Sequence, residues 1–66
     1  PGITVINQAQ QTLGTIERYF DSGAHIILEL KGEQDYLIPF IRDKFVLSID
    51  LTARIMQVDW DAEDVA

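Results

Sequence analysis

Short segments of alternating apolar and polar residues run through this chain, and no stretch of ten or more residues sustains a helical period with capping residues. A period of two is typical of β-strands, because successive side chains point to opposite faces. The clearest segment covers residues 24–31, whose faces are Ala24, Ile26, Leu28 and Leu30 on one side and His25, Ile27, Glu29 and Lys31 on the other. The pattern predicts an all-β fold.

Turn signals separate six such segments, which predict strands at residues 3–7, 13–20, 24–31, 36–38, 45–51 and 54–60. Pro39 lacks a backbone donor, so it is expected to end the fourth strand at a corner. One face of the fifth strand is expected to hold Phe45, Leu47, Ile49 and Leu51. Turns about every 8–12 residues indicate a small β-barrel of about six short antiparallel strands. We assign it residues 1–60, and expect the acidic tail, residues 61–66, to be flexible.

The chain is long enough for one domain only. A domain of this size depends on its hydrophobic core for stability. It has 66 residues and no cysteine, which excludes disulfides and thiolate metal sites. No apolar run is long enough to span a bilayer, and nothing resembles a signal peptide, so no membrane association is expected. Because the chain begins with Pro1-Gly2 rather than methionine, we interpret it as a piece of a longer protein. The isolated domain is expected to be a monomer.

The net charge of −6 limits the kinds of partner. Nucleic-acid binding draws most of its affinity from clustered lysines and arginines, whereas the five bases here are dispersed, at Arg18, Lys31, Arg42, Lys44 and Arg54. Direct nucleic-acid binding is therefore not expected, and the charge favours a basic protein partner. The alternative interpretation is that the acidic residues only provide solubility.

The sequence contains no arrangement that predicts catalysis, a cofactor or a metal. His25 and Glu29 would lie roughly 13 Å apart on a strand, too far to share an ion. Ser22 lies in an Asp-Ser-Gly turn without the pattern of a nucleophile elbow. The acids around Trp60 lack the spacing of a calcium loop. We expect neither enzyme activity nor a cofactor.

Aromatic side chains are the candidates for contact with a partner. The chain has six, at Tyr19, Phe20, Tyr36, Phe40, Phe45 and Trp60. Aromatic residues dominate interface hot spots but also small cores, so most of them are expected inside. Tyr19 and Phe20 are adjacent on a strand, so one of the two is expected to face outward. With Trp60, at the end of the last strand, they are our predicted partner-binding residues.

Three motifs, in order along the chain, resemble one known family. Gly14-Thr15-Ile16-Glu17, followed by Asp21-Ser22-Gly23-Ala24, resembles the opening of a PRC-barrel domain. Leu37-Ile38-Pro39-Phe40-Ile41 resembles the Leu-(Ile/Val)-Pro-Phe motif of the ribosome maturation factor RimM family. Residues 46–51 and 55–61 resemble that family's closing hairpin, which ends in Val-Asp-Trp. The resemblance covers nearly the whole chain.

The resemblance implies the carboxy-terminal PRC barrel of a two-domain, cytoplasmic bacterial chaperone of ribosome assembly. Family members associate with small-subunit ribosomal protein nineteen in the subunit head, and they aid head maturation and rRNA processing without acting as nucleases. The matched motifs imply mainly structural roles for Gly14, Gly23, Ile38, Pro39, Phe40 and Asp50.

One departure and two alternatives remain. The family carries a Glu-Tyr-Tyr-Trp-like stretch just before the residues matching Pro1-Gly2, and this chain lacks it, so part of the docking surface is expected to be missing. A PRC barrel of another setting, such as a reaction-centre H subunit or a stand-alone protein, is the first alternative. A transmembrane helix ahead of Pro1 would favour it, whereas a second β-barrel would favour the RimM family. An enzyme is the second alternative.

Overall fold

The computed structural model describes residues 2–66, and within that range it contains six β-strands and no helix. The strands are β1 (Thr4–Asn7), β2 (Thr12–Asp21), β3 (Ile26–Lys31), β4 (Tyr36–Pro39), β5 (Val46–Asp50) and β6 (Ile55–Val58). The all-β prediction and the order of the six strands are confirmed. The predicted domain, residues 1–60, starts at Pro1, which lies outside the described residues, and its separation from a tail stays a prediction.

All six strands form one sheet, in the order β4-β3-β2-β1-β6-β5. Four neighbouring pairs are antiparallel, but β1 and β6 run parallel, with Val5 opposite Met56. The prediction of antiparallel strands is wrong for this pair, because turn signals report only pairings between consecutive strands. The sheet is also not closed, since β4 and β5 form its two edges instead of pairing with each other.

Every strand contributes side chains to a single hydrophobic core. Its buried members are Val5, Leu13, Ile16, Leu28, Leu30, Tyr36, Ile38, Val46, Met56 and Val58. Leu28 and Leu30 face inward, as the alternation predicts, whereas Ile26 is exposed at the start of β3. Burying a large apolar side chain contributes roughly 1.5–3 kcal/mol. This core therefore provides the stabilisation that a chain without disulfides needs.

A β-bulge in β5 changes which of its side chains face the core. The register shifts between Val46, which pairs with Val58, and Ser48, which pairs with Gln57. An extra residue reverses the alternation of side chains beyond it. Val46, before the bulge, and Ile49, beyond it, therefore both face the core, while Leu51 lies in the turn after β5 and is 74% exposed. Of the predicted face of Phe45, Leu47, Ile49 and Leu51, Phe45 and Ile49 pack against the core as expected, whereas Leu51 is exposed and Val46 is buried.

Candidate functional site

The outer side of β2, β3 and β4 carries an exposed apolar surface. Directly opposed residues of antiparallel strands point to the same face of a sheet. Phe20, Ile27 and Pro39 lie opposite one another across the three strands, and Leu37 lies in the next outward-facing row. Phe20 is 43% exposed and Leu37 is 41% exposed. We call these four residues the hairpin face.

A second β-bulge, in β2, helps to create this surface. The register shifts between Ile16 and Arg18, so side chains beyond the bulge reverse their facing. All of residues 17–21 are exposed. Tyr19 lies on the inner side, opposite Leu28, yet it is 64% exposed. The structure thus exposes both Tyr19 and Phe20, where the alternation predicts only one outward residue, because the core does not extend to this end of the hairpin.

Two basic residues near the hairpin face already form exposed ion pairs with acidic residues of the same chain. Arg18 Nε donates to Glu29 Oε1 at 2.5 Å, and Lys31 Nζ donates to Asp35 Oδ2 at 3.0 Å. These hydrogen bonds raise the pKa of Arg18 and of Lys31 above their ordinary values. With raised folded-state pKa values, the two bases contribute this stabilisation at neutral pH and lose it as they deprotonate in strong alkali. Two of the five bases are therefore already neutralised by acids at neutral pH.

A concave site lies beside Trp60, just beyond the end of β6. It has a volume of about 340 Å³ and is lined by Asn7, Gln8, Ala9, Gln11, Asp59, Trp60, Asp61 and Ala62. We call it the Trp60 cleft. The half-buried indole packs edge to face against Phe45, with ring centroids 5.4 Å apart. Its Nε1–H donates to the backbone carbonyl of Asp64 at 3.0 Å. These contacts fix the orientation of the ring.

Asn7 joins this cleft to the turn between β1 and β2. Its Oδ1 accepts hydrogen bonds from the backbone N–H groups of Ala9 and Gln11, at 3.0 and 2.9 Å. Its Nδ2 donates to Gln11 Oε1 at 2.8 Å and to the carbonyl of Trp60 at 3.2 Å. The side chain is buried and fully hydrogen-bonded. Sequence reasoning missed this residue, although an asparagine that opens a polar turn is the signal for it.

Residues of the tail contact the body of the sheet. The buried Tyr36 hydroxyl donates to the carbonyl of Ala62 at 2.6 Å, and Ala62 packs against the core. The backbone N–H of Ala66 donates to the carbonyl of Asp35 at 2.8 Å. The flexibility predicted for residues 61–66 is a statement about motion, and it stays a prediction.

The structure does not bring the three predicted partner-binding residues together. Tyr19 and Phe20 lie near the end of β2, whereas Trp60 lies beside Asn7, just before the start of that strand. The seven residue-to-residue steps from Thr12 to Tyr19 correspond to roughly 23 Å of extended chain. Two separate regions are therefore available, namely the end of the β2–β3 hairpin, which carries the hairpin face and Tyr19 on opposite sides, and the Trp60 cleft.

The six predicted motif residues occupy turns, strand ends and the core. Gly14 and Gly23 both have positive φ, and Ile38 is fully buried in β4. Pro39 ends β4, and the N–H of the half-buried Phe40 then donates to the carbonyl of Ile26 at 2.8 Å. Asp50 Oδ1 accepts from the N–H of Ala53 at 2.9 Å in the turn after β5. Their assignment to structural roles stays a prediction.

Residues 2–66 hold no group of three or more His, Asp or Glu side chains arranged to bind a metal. In the same part of the chain, no helix has the length and apolar character to cross a membrane.

The fold places the chain in the class of PRC barrels. The crystal structure of a 16S ribosomal RNA processing protein RimM from Pseudomonas aeruginosa matches it with a TM-score of 0.88 and 38% identity, over 94% of this chain and 41% of that one. Residues 1–64 match the family model described as the RimM PRC barrel domain. The chain belongs to this family, which confirms the resemblance and decides against a PRC barrel of the reaction-centre type.

Curated relatives agree with this assignment. The ribosome maturation factor RimM of Aromatoleum aromaticum is 43% identical over 94% of this chain, and that of Ectopseudomonas mendocina is 41% identical over 94%. The chain spans 37% and 38% of the length of these two proteins. Their names describe these relatives as ribosome maturation factors.

Proposed function

We propose that this chain is a non-catalytic module of ribosome assembly that docks onto a basic protein of the small-subunit head. Its specific partner is small-subunit ribosomal protein nineteen. The module acts in the cytoplasm as a chaperone of head maturation and rRNA processing. Membership of the RimM PRC barrel family is the observation that carries this proposal. The net charge of −6 supports a basic partner independently of the family.

The hairpin face is the proposed main contact surface, and Tyr19, exposed on the other side of β2, is a proposed additional contact. Exposed aromatic residues beside apolar ones are typical of interface hot spots. The acids Glu17 and Asp21 flank Tyr19 and Phe20 on β2, so a basic partner meets opposite charge at the rim. This combination supports an apolar contact surrounded by charge complementarity, which fits a protein better than a nucleic acid.

Titration of the chain with ribosomal protein nineteen tests this proposal. We expect Phe20→Ser to weaken binding by about tenfold or more, because a buried aromatic contact contributes upwards of about 1.4 kcal/mol. Leu51→Ser is the matched control, since Leu51 is exposed but lies after β5, outside the hairpin face. It should bind like the parent chain.

Two results would contradict the proposal. Absence of binding by the parent chain, at concentrations where a full-length RimM protein binds, would reject the partner. Equal binding by Phe20→Ser and the parent chain would reject the hairpin face as the contact. Circular dichroism and thermal unfolding of both variants establish that a change in binding is not a loss of fold.

A further inference from the structure

The Trp60 cleft combines an oriented indole with acidic groups that have no basic partner. Asp59 and Asp61 both line it, on either side of Trp60 in sequence. Among residues 2–66 the ion pairs are Arg18–Glu29 and Lys31–Asp35, so neither carboxylate is neutralised within the described part of the chain. Negative charge therefore collects next to an aromatic surface in a concavity.

We infer that the Trp60 cleft binds one arginine side chain of the basic partner, an inference that rests on the proposed function. A guanidinium is attracted to an indole ring and pairs with carboxylates through two parallel hydrogen bonds. Gln8 and Gln11 also belong to the lining, and glutamine side chains can supply further acceptors for its five N–H donors. Lysine is a weaker match, because its ammonium is compact and cannot form the planar, two-pronged contact.

The size and rigidity of the cleft fit this occupant. A volume of about 340 Å³ is at the lower limit of small-molecule pockets, so it suits a single side chain rather than a large cofactor. The indole is already held by Phe45 and by the carbonyl of Asp64, and Asn7 holds the backbone of Trp60. Binding therefore orders few additional groups, which reduces its entropic cost.

Nuclear magnetic resonance titration with N-acetyl-arginine amide tests the cleft directly, without the ribosomal partner. We expect shifts of the Trp60 indole N–H and of the amides of Gln8 and Gln11, with a dissociation constant of about 1 mM for so small a ligand. The citrulline analogue has the same shape but no charge, and it should cause no saturable shift. Equal shifts from both compounds, or none from either, would overturn the inference.

Paired variants then connect the cleft to the partner. Asp59→Asn with Asp61→Asn removes the charge but keeps an acceptor for the N–H of Glu63, which Asp61 Oδ1 binds at 2.9 Å. We expect about tenfold weaker binding of arginine amide and of ribosomal protein nineteen. Glu33→Gln with Asp43→Asn is the control of equal charge change, at two exposed acids outside the cleft lining and the hairpin face.

The outcomes separate this inference from the proposed function. If the parent chain binds ribosomal protein nineteen and the cleft variant binds it equally well, the inference is wrong and the proposed function stands. If the parent chain does not bind that protein, the proposed function fails, and with it the claim that the arginine comes from this partner. A selective arginine titration would then still establish the cleft as a guanidinium site.

Discussion

Gly14 shows how one residue can be fixed by two separate constraints. Its φ of 147° lies in a region that side chains rarely adopt. A Cβ at this position would lie 2.4 Å from the carbonyl oxygen of Lys31. The β2 backbone therefore approaches the end of β3 more closely than any side chain allows. Gly23 has a φ of 96°, but an added Cβ would meet no atom within 4 Å.

Replacement of these two glycines by alanine should have different costs. Gly23→Ala introduces backbone strain alone, about 1 kcal/mol of unfolding free energy. Gly14→Ala adds a clash with backbone atoms that cannot rotate away, and we expect a loss of about 3 kcal/mol or more. Urea unfolding followed by Trp60 fluorescence measures both losses. Similar losses in the two variants would show that the close approach at Gly14 does not constrain the fold.

At the scale of strands and turns, the sequence predicts where elements lie better than how their side chains face. Periodicity located all six strands within two residues of the observed ends. The bulges at residues 16–18 and 46–48 cannot be recognised from the alternation of apolar and polar residues. An extra residue is identified only by the register of the partner strand. This is why Val46 rather than Leu47 enters the core, and why Phe20 rather than Tyr19 faces the outer side of the sheet.

The tail is the element whose behaviour a single hydrogen bond can test. Tyr36→Phe removes only the hydroxyl that donates to the carbonyl of Ala62. If the tail is held against the sheet in solution, this change should lower the unfolding free energy by about 1 kcal/mol. Tyr19→Phe is the control, because that side chain is 64% exposed and should lose almost nothing. Equal stability of the two variants in urea would favour the flexible tail that the sequence predicts.

For the whole molecule, the sequence could not predict which strands pair when they lie far apart along the chain. The parallel pair of β1 and β6 joins Thr4 to Ile55 and Asn7 to Val58, and no local signal specifies such a contact. The same limit applied to the candidate site. Tyr19, Phe20 and Trp60 were identified as aromatic residues that could contact a partner, but their separation into two surfaces depends on the order of strands. Asn7, which links the first turn to Trp60, was missed because its partner is distant in sequence.

The overall charge of the molecule predicts how its association should respond to salt. With a net charge of −6, long-range attraction should speed the encounter with a basic protein, and salt should screen that attraction. Between about 0.05 M and about 0.5 M salt we expect the association rate constant with ribosomal protein nineteen to fall roughly tenfold, with a smaller change in the dissociation rate. Surface plasmon resonance measures both.

Phe20→Ser separates this electrostatic contribution from the apolar one. The substitution leaves the net charge unchanged, so the dependence of the association rate on salt should match that of the parent chain. It removes an apolar contact, so the complex should dissociate faster at every salt concentration. An association rate insensitive to salt would show that the acidic residues serve solubility alone. In that case recognition would depend on the exposed aromatic and aliphatic side chains of the hairpin face.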